Sequence, residues 1–443
     1  MMKKIILTLI LSLTIAACSE EAAEQGPVTA DSLQPPIMTD LTSAVIPANG
    51  FVINNVKILD GMGGVIEHGS IVVQGDRIIS VNEGDSNVTG ALTIDAEGRT
   101  LMPGYIDAHR HIITGANPAD WLETQAETDM LAFLEAGFTT LLSAGDAPDQ
   151  ILELRRMTAE GDILGPRIVA AQFTGLAAAN GMAGIEGDPA RFDNARPPLR
   201  ATEAMPALPE EVVRGQVQAL FDRGFDAAKN VINVSPGGPE EEALSMIVEE
   251  TQRLGIRTIT HAVTVIDTLA AMRAGVDQLV HTPHIGMLTL DEARQIADSN
   301  IPMTSTLGIF VPFYDENNEP IFRDELPFPW DTISSAGQGP VNARLLWEAG
   351  VVYGFGTDTR YEPSLTLKHE LKSLFLVFSE QDILRIMGQN AAINIAMEDE
   401  IGALEAGKIA DIVLVDGDPE ADIFDLLNVD LVIKNGQFVV DKR

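Results

Sequence analysis

The stretch Leu101–His111, LMPGYIDAHRH, decides the fold and much of the chemistry of this chain. An apolar run containing Pro-Gly leads to Asp107 and then to His109 and His111. Because alternate side chains of a β-strand share one face, we expect the two histidines to point the same way. Two imidazoles at the end of a buried strand can supply part of a metal site, although an isolated His-x-His pair also arises by chance. The remaining ligands have to come from other parts of the chain.

The composition is that of a folded, strongly acidic protein. The chain has 443 residues, of which 45% are hydrophobic, and its formal net charge is −36. This length favours one large domain plus a smaller one. The negative charge argues against electrostatic binding of nucleic acid or of an anionic lipid surface. A solvated acidic surface is the simplest explanation of the charge, and attraction of a cationic substrate is the alternative.

The amino terminus has the pattern of an export signal. Two lysines precede an apolar run, 5–15, that is too short to span a bilayer comfortably. The following Ala-Ala-Cys resembles the box of a bacterial lipoprotein signal, and a secretory signal with a chance cysteine is the alternative. The resemblance predicts a signal at 1–18 with lipid attached to Cys18, and Ser19 then implies the outer membrane, facing the periplasm. Residues 19–47 are predicted to be a flexible tether, so that the protein is extracytoplasmic and touches the membrane only through its anchor.

Segments at both ends of the folded part have the pattern of short strands. Apolar pairs or alternation, broken by Gly, Asp and Asn, occupy 51–94, and further strands are predicted at 410–415 and 431–440. Neither set is large enough to be stable alone. We therefore expect a small composite β-sandwich domain formed by 48–103 and 402–443.

Between these ends, short apolar runs alternate with amphipathic helices. Helices are predicted around 121–135 and at 240–254. Eight β/α units favour a closed (β/α)₈ TIM barrel at 104–401, within an α/β fold class. An open doubly wound sheet is the alternative, but the sequence lacks its Gly-rich phosphate loop. After the opening strand, strands are predicted at Phe138–Leu142, Arg167–Ala171, Phe225–Ile232, Arg257–Thr260, Gln278–Val280, Pro302–Thr306 and Val352–Gly356.

Two connections between these elements are unusually long. Residues 172–209 follow the third barrel strand, and 307–339 follow the seventh and contain six aromatic residues. Loops after barrel strands form the catalytic rim, so we interpret both as walls of a substrate pocket. A structural flap packed on the small β domain is the alternative.

Side chains that can bind a metal stand at or near the ends of five predicted barrel strands. They are His109 and His111 on the first strand, Lys229 on the fourth, His261 on the fifth, His281 on the sixth and Asp358 on the eighth. Because the carboxyl ends of barrel strands converge on one face, these side chains are expected to meet. Lys229 lies in an apolar strand, where an ammonium is costly unless it is paired or neutralised. Cys18 is the only cysteine, so a metal in the folded part must be held by nitrogen and oxygen.

This arrangement resembles the amidohydrolase superfamily. Pro-Gly followed by Asp-x-His-x-His is similar to that family's opening signature, and the segment from Ile401 through GKIADIV (407–413) to IKNG (433–436) is similar to its closing segment. The resemblance covers nearly all of the mature chain. Lys229 together with His261 and His281 is similar to the imidazolonepropionase-like, prolidase-like dipeptidase branch, which has a two-metal site. The resemblance thus implies a metal-dependent hydrolase that cleaves a C–N bond, whether or not this is a peptide bond.

The resemblance also implies a role for each ligand. One divalent ion is held by His109, His111 and Asp358 and the other by His261 and His281, and Lys229, carboxylated by carbon dioxide, bridges them. Nitrogen and oxygen ligands suit Zn²⁺ but also Mn²⁺ or Fe²⁺. Asp358 would act as general base on a metal-bridged hydroxide and then as general acid toward the leaving amine. Arg110 stands where the family usually has a smaller or apolar residue, and we expect it to point away from the metals.

A dipeptide or an N-acyl amino acid is the substrate that the resemblance favours. His284 could hydrogen-bond the substrate carbonyl or leaving group, and Arg360 could bind a carboxylate. A structural loop histidine and a surface ion pair are the respective alternatives. Oligomeric state is not fixed by the sequence, although the barrels of this family commonly pair as homo-oligomers.

Three other functions stay open at this point, because one fold hosts many chemistries. The first is a single-metal cyclic amidine or imidazolone hydrolase or deaminase, which has no need of Lys229. The second is a lactonase or carbamate hydrolase at the same site. The third is a non-enzymatic binding protein, against which the complete ligand set argues.

Overall fold

The computed structural model describes residues 47–177, 204–310, 333–360 and 362–443, with the backbone alone at 333–337. The predicted signal with Cys18, nearly all of the tether and most of both long connections lie outside these residues. Within the described ranges, no helix is both long enough and apolar enough to cross a bilayer.

The strands are numbered in chain order. They are β1 (Phe51–Leu59), β2 (Val65–Gln74), β3 (Arg77–Glu83), β4 (Leu92–Asp95), β5 (Thr100–Pro103), β6 (Tyr105–Arg110), β7 (Phe138–Ala144), β8 (Arg167–Phe173), β9 (Ala227–Val231), β10 (Arg257–His261), β11 (Gln278–Val280), β12 (Met303–Thr304), β13 (Tyr353–Gly354), β14 (Ile412–Val415), β15 (Val429–Lys434) and β16 (Gln437–Asp441).

The helices are numbered in the same way. They are α1 (Pro118–Thr124), α2 (Ala126–Glu135), α3 (Pro148–Glu160), α4 (Glu210–Asp222), α5 (Glu240–Leu254), α6 (Val265–Ala274), α7 (Leu290–Asp298), α8 (Ile333–Ala349), α9 (Pro363–Leu374), α10 (Glu380–Met387) and α11 (Gln389–Asn394), with short 3₁₀ turns at Leu307–Ile309 and Ile423–Leu427.

Strands from the two ends of the folded part form one continuous sheet. Its order is β16-β15-β14-β5-β1-β2-β3, and β4 adds to β1 as a branch. The two ends join where β14 pairs antiparallel with β5, placing Val413 opposite Met102. The sheet has an apolar cluster of its own, which includes Phe51, Ile71 and Ile412. The strands from each end of the folded part thus bury their apolar side chains only together, as expected for sets too small to be stable alone.

The second sheet is the barrel. Strands β6 to β13 lie side by side in sequence order, each parallel to the next. Beyond β13 the chain returns to β6, where the Ala108 N–H donates to the Phe355 carbonyl at 3.0 Å and the Asp358 N–H donates to the His109 carbonyl at 2.7 Å. These bonds bring the last strand against the first. A (β/α)₈ barrel accompanied by a small composite β domain is therefore confirmed.

One predicted helix differs in detail. The segment around 121–135 forms two helices, because Gln125 has a φ of −125° that interrupts the helical backbone between α1 and α2. The buried Trp121 of α1 donates its indole N–H to Asp129 of α2 at 2.8 Å, which ties the two pieces together. In contrast, α5 has the predicted bounds of 240–254, and Gly255 ends it at a φ of 75°, where a glycine is favoured.

Candidate metal centre

The paired histidines of the opening motif lie beside one carboxylate. His109 Nε2 is 3.2 Å from Asp358 Oδ1, and His111 Nε2 is 3.3 Å from the same oxygen. His109 Nε2 is also 3.0 Å from Lys229 Nζ. His109 lies in β6 and His111 directly follows the end of that strand, and the bonds that close the barrel put Asp358 next to both.

Two further histidines complete the cluster. His281 Nε2 is 3.7 Å from Asp358 Oδ2, and the His261 ring lies edge-on to the His281 ring with 4.3 Å between their centres. One ligand atom from each of His109, His281 and Asp358 lies within 4.8 Å of the others. The structure therefore brings together all six side chains that the strand ends predicted.

Two of these residues have an unusual backbone conformation. The φ of His281 is 75° and that of Asp358 is 51°, in the left-handed region that L-residues seldom occupy. At Gly356, a side chain would place its Cβ 2.4 Å from Thr304 and 3.1 Å from the His109 nitrogen. Only glycine therefore allows the segment after β13 to approach His109 so closely. Strain of this kind persists where the surrounding structure enforces it, often at functional sites.

Burial favours the neutral forms of Lys229 and of three histidines in the cluster. It lowers the pKa of Lys229 to about 7, although the nearby Asp358 carboxylate opposes this shift. Burial, with the charge of Lys229 adding to it, lowers the pKa of His109 and of His261 to about 3. Burial and the neighbouring His261 hold the pKa of His281 well below its usual value. At neutral pH these imidazoles are uncharged, which is the form that binds metals.

Asp358, in contrast to these nitrogen groups, is held in its charged form. Burial disfavours its charged form, but His109 and His111 beside it outweigh burial and hold the pKa of Asp358 well below its usual range. Its carboxylate is consequently ionised at neutral pH. Neutral imidazoles gathered around one carboxylate form a donor set for a divalent cation.

A buried atom with no protein partner supports the same conclusion. Among the described residues, His281 Nε2 has no hydrogen-bond partner although it is fully buried. Its other nitrogen, Nδ1, is 2.6 Å from the Thr306 hydroxyl. Buried polar atoms are rarely left unsatisfied, and a cation bound at Nε2 would satisfy this one. The residues present therefore fit a metal ion.

A buried network behind the centre was not predicted from the sequence. Asp107 accepts the N–H groups of His109 and Thr357 at 3.2 and 3.1 Å and the Thr357 hydroxyl at 2.6 Å. Burial raises the pKa of Asp107 to about 6. Arg110 donates to the hydroxyls of Thr357 and Thr366 at 3.2 and 2.7 Å. Arg110 therefore ties β6 to the turn before Asp358 and to α9. The only sequence signal for this role is its place between the paired histidines.

The two predicted substrate residues differ in their surroundings. His284 is buried and stacks on Phe310 with 3.6 Å between ring centres, and Phe310 also lies edge-on to His281 at 5.5 Å. Burial lowers the pKa of His284 to about 3. His284 is thus linked to the cluster through one aromatic ring. Arg360 is exposed, and no contact in the described ranges joins it to the cluster.

Comparison with known proteins finds the same family that the sequence motifs resemble. Residues 100–439 match the amidohydrolase family. The imidazolonepropionase of Alkaliphilus oremlandii (strain OhILAs) is 23% identical, over 86% of this chain and 92% of that protein. The 5-methylthioadenosine/S-adenosylhomocysteine deaminase of Symbiobacterium thermophilum is 24% identical, over 83% and 86%.

Solved structures share the fold. A Xaa-Pro dipeptidase with bound methionine superposes with a TM-score of 0.69 at 22% identity, covering 88% of this chain and 99% of the dipeptidase. The family match spans both the barrel and the carboxyl-terminal strands of the small sheet. The chain therefore belongs to the amidohydrolase family and is a hydrolase that acts on carbon–nitrogen bonds.

Proposed function

We propose that this amidohydrolase uses two metal ions to cleave the amide bond of a dipeptide or an N-acyl amino acid. The observation that carries the proposal is the position of Lys229. Its Nζ lies 3.0 Å from His109 Nε2 in a fully buried setting, within the cluster that also contains Asp358. A single-metal hydrolase has no need of an amine at this place.

In this proposal the ligands form two groups joined by one bridge. One Zn²⁺ ion would be held by His109, His111 and Asp358 and the other by His261 and His281, and Lys229, as its carboxylate, would supply an oxygen to each. When bound, such a pair of ions polarises the scissile carbonyl and makes a water molecule more acidic.

Lys229 is suited to becoming that bridge. A pKa lowered to about 7 by burial leaves much of the amine neutral at pH 7–8. The neutral amine forms an N–C bond to carbon dioxide and releases one proton to solvent, which yields an N-carboxylate. The product is an anion with two oxygen donors, and it removes the cost of a buried ammonium.

Asp358 is placed to move the proton of the reaction. Its carboxylate is ionised, lies beside His109 and His111, and keeps 13% of its side-chain surface exposed. Asp358 accepts a proton from the attacking water as the new C–O bond forms. It then delivers this proton to the amine nitrogen as the C–N bond breaks.

Substrate contacts are proposed for two residues. His284 donates a hydrogen bond to the substrate carbonyl or leaving group from its place against Phe310, and Arg360 pairs with a substrate carboxylate. The similarity of the fold to a Xaa-Pro dipeptidase supports a substrate with a free carboxylate. Phe310, which is partly exposed and stacks on His284, lies beside this proposed contact.

Hydrolysis of a cyclic amidine, or deamination, is the second candidate. It is favoured by the similarity to an imidazolonepropionase and to a deaminase. Such a reaction with one bound ion would make Lys229 dispensable.

A hydrolysis screen of the metal-loaded protein separates these functions. Dipeptides, including Xaa-Pro, and N-acyl amino acids should be cleaved. An imidazolone, a lactone and a carbamate should be cleaved slowly or not at all. Activity confined to the latter group would contradict the proposed substrate class, whereas turnover of none would favour a binding protein.

We also propose that the protein is anchored by lipid at Cys18 on the outer membrane, facing the periplasm. The two amino-terminal lysines, the apolar run 5–15 and the Ala-Ala-Cys sequence support this location.

A further inference from the structure

The turn that follows β12 adopts a conformation that needs outside support. Thr306 has a φ of 45°, which is a genuine outlier for a β-branched side chain. The next residues form a short 3₁₀ turn, Leu307–Ile309, and lead into Phe310. Some neighbouring group must hold this backbone in place.

Two adjacent residues of α9 supply that support. One carboxylate oxygen of Glu370 accepts the Leu307 N–H at 2.9 Å, and the other accepts the Gly308 N–H at 2.6 Å. His369 Nε2 is 2.7 Å from the Gly308 carbonyl oxygen. A Cβ on Gly308 would lie 2.8 Å from both Glu370 and His369. Glycine therefore lets the turn come this close to α9.

This turn also contacts the metal centre, through His281. The Thr306 hydroxyl is 2.6 Å from Nδ1 of His281, and the opposite nitrogen, Nε2, faces Asp358 at 3.7 Å. A histidine that binds a metal through one nitrogen is commonly oriented by a hydrogen bond at the other. The same turn places Phe310 against the His281 ring.

We propose that Glu370 is a positioning residue, which holds the turn 305–308 and, through Thr306, fixes the His281 ring with Nε2 facing the metal ions. The inference rests on the proposed function only in treating His281 as a ligand. Glu370 does not touch the centre directly, so its effect should be on metal affinity. A purely structural Glu370 would change stability alone.

Metal titration of the metal-free, full-length protein against a competing chelator tests the proposal. Glu370→Gln keeps the size of the side chain but leaves an amide NH₂ against one backbone N–H. Thr306→Val keeps the shape and removes the hydroxyl. Both variants should bind one ion about 10–100-fold more weakly, with any second ion little changed. Thr306→Ser, which restores the hydroxyl, should lie within about threefold of wild type.

A surface variant of the same helix is the control. Lys368→Gln alters an exposed residue of α9, and its metal affinity should equal that of wild type. The melting temperature of each metal-free variant reports folding separately. Wild-type metal affinity in folded Glu370→Gln would overturn the proposal. If Glu370→Gln does not fold, the two Thr306 variants provide the test. Equal metal affinities of Thr306→Val and Thr306→Ser would then overturn the proposal.

The titration also separates this inference from the proposed function. If wild-type protein binds a single ion, the two-metal proposal fails, yet the role of Glu370 is still tested on that ion. His281 lies with His109 and Asp358 around the place where one ion would bind.

Discussion

The Nζ of Lys229 lies 3.0 Å from Nε2 of His109, and both side chains are almost completely buried. Two cations at this distance would repel each other strongly. Burial avoids the conflict, because it brings the pKa of Lys229 down to about 7 and that of His109 down to about 3. The pair is therefore suited to metal binding and, for the lysine, to reaction with carbon dioxide.

The stability of the metal-free protein should depend on pH through Lys229. Its pKa is about 7 when folded and 10.5 ordinarily, so between these values the unfolded chain holds a proton that the folded chain lacks. The free energy of unfolding therefore rises with pH in this window. Lys229→Met removes this contribution. It should stabilise the metal-free protein at pH 7, on the order of a few kcal/mol, with a gain that shrinks toward pH 10.

Chemical denaturation at several pH values, with carbon dioxide excluded, measures this difference. A gain for Lys229→Met that stays constant from pH 7 to 10 would show that the pKa of Lys229 is not lowered.

Removing the proton carrier should slow turnover strongly. Asp358→Asn keeps the size of the side chain but cannot accept the proton of the attacking water. We expect kcat to fall by roughly 10²–10⁴-fold, the usual range for a general acid–base group. Metal content must be measured on the same sample, because Asp358 is also a proposed ligand. A metal-loaded Asn variant with kcat within tenfold of wild type would remove Asp358 from the mechanism.

Arg110 should matter for stability far more than Arg360. Arg110 is buried, donates to Thr357 and Thr366, and lies 3.9 Å from the Asp107 carboxylate. Arg110→Met leaves that carboxylate without its cation, which typically costs about 3–5 kcal/mol. The melting temperature of the metal-free protein should fall clearly. Arg360→Gln, at an exposed site, is the matched control and should leave it almost unchanged. Equal melting temperatures for both variants would show that the buried network is not needed.

Much of the architecture could be predicted because it follows from local pattern. Eight apolar runs alternating with amphipathic helices favour a barrel over an open sheet, and in a barrel the strand ends that carry Lys229, His261 and Asp358 converge on one face. The break at Gln125 could not be foreseen, since neither Gly nor Pro marks it. The indole N–H of Trp121, which bonds Asp129 across the break, has a partner that local pattern does not reveal.

The supporting residues were harder to find because their partners are distant in sequence. The sequence does contain one signal for Glu370. Helical spacing puts it on the same face of α9 as three leucines that are all buried, Leu367, Leu371 and Leu374. A carboxylate on such a face needs buried donors. Which donors they are, here the N–H groups of Leu307 and Gly308, depends on where α9 meets the turn.

The proposed lipid anchor at Cys18 can be tested without measuring enzyme activity. Cells that produce wild-type protein should release it from membranes only with detergent, and the protein should carry labelled fatty acid. Cys18→Ala should lose the label. Ser19→Ala is the neighbouring control and should stay lipidated. Lipid on the Cys18→Ala protein, or none on the wild type, would contradict the proposed anchor.

The number of metal ions per chain tests the central claim most directly. Protein purified with Zn²⁺ and bicarbonate should contain about two ions per chain by elemental analysis, as expected for a two-metal centre. Lys229→Ala should contain about one, because the bridge is lost while the histidines and Asp358 are retained. A wild-type content of one ion per chain, unchanged in Lys229→Ala, would contradict the two-metal mechanism.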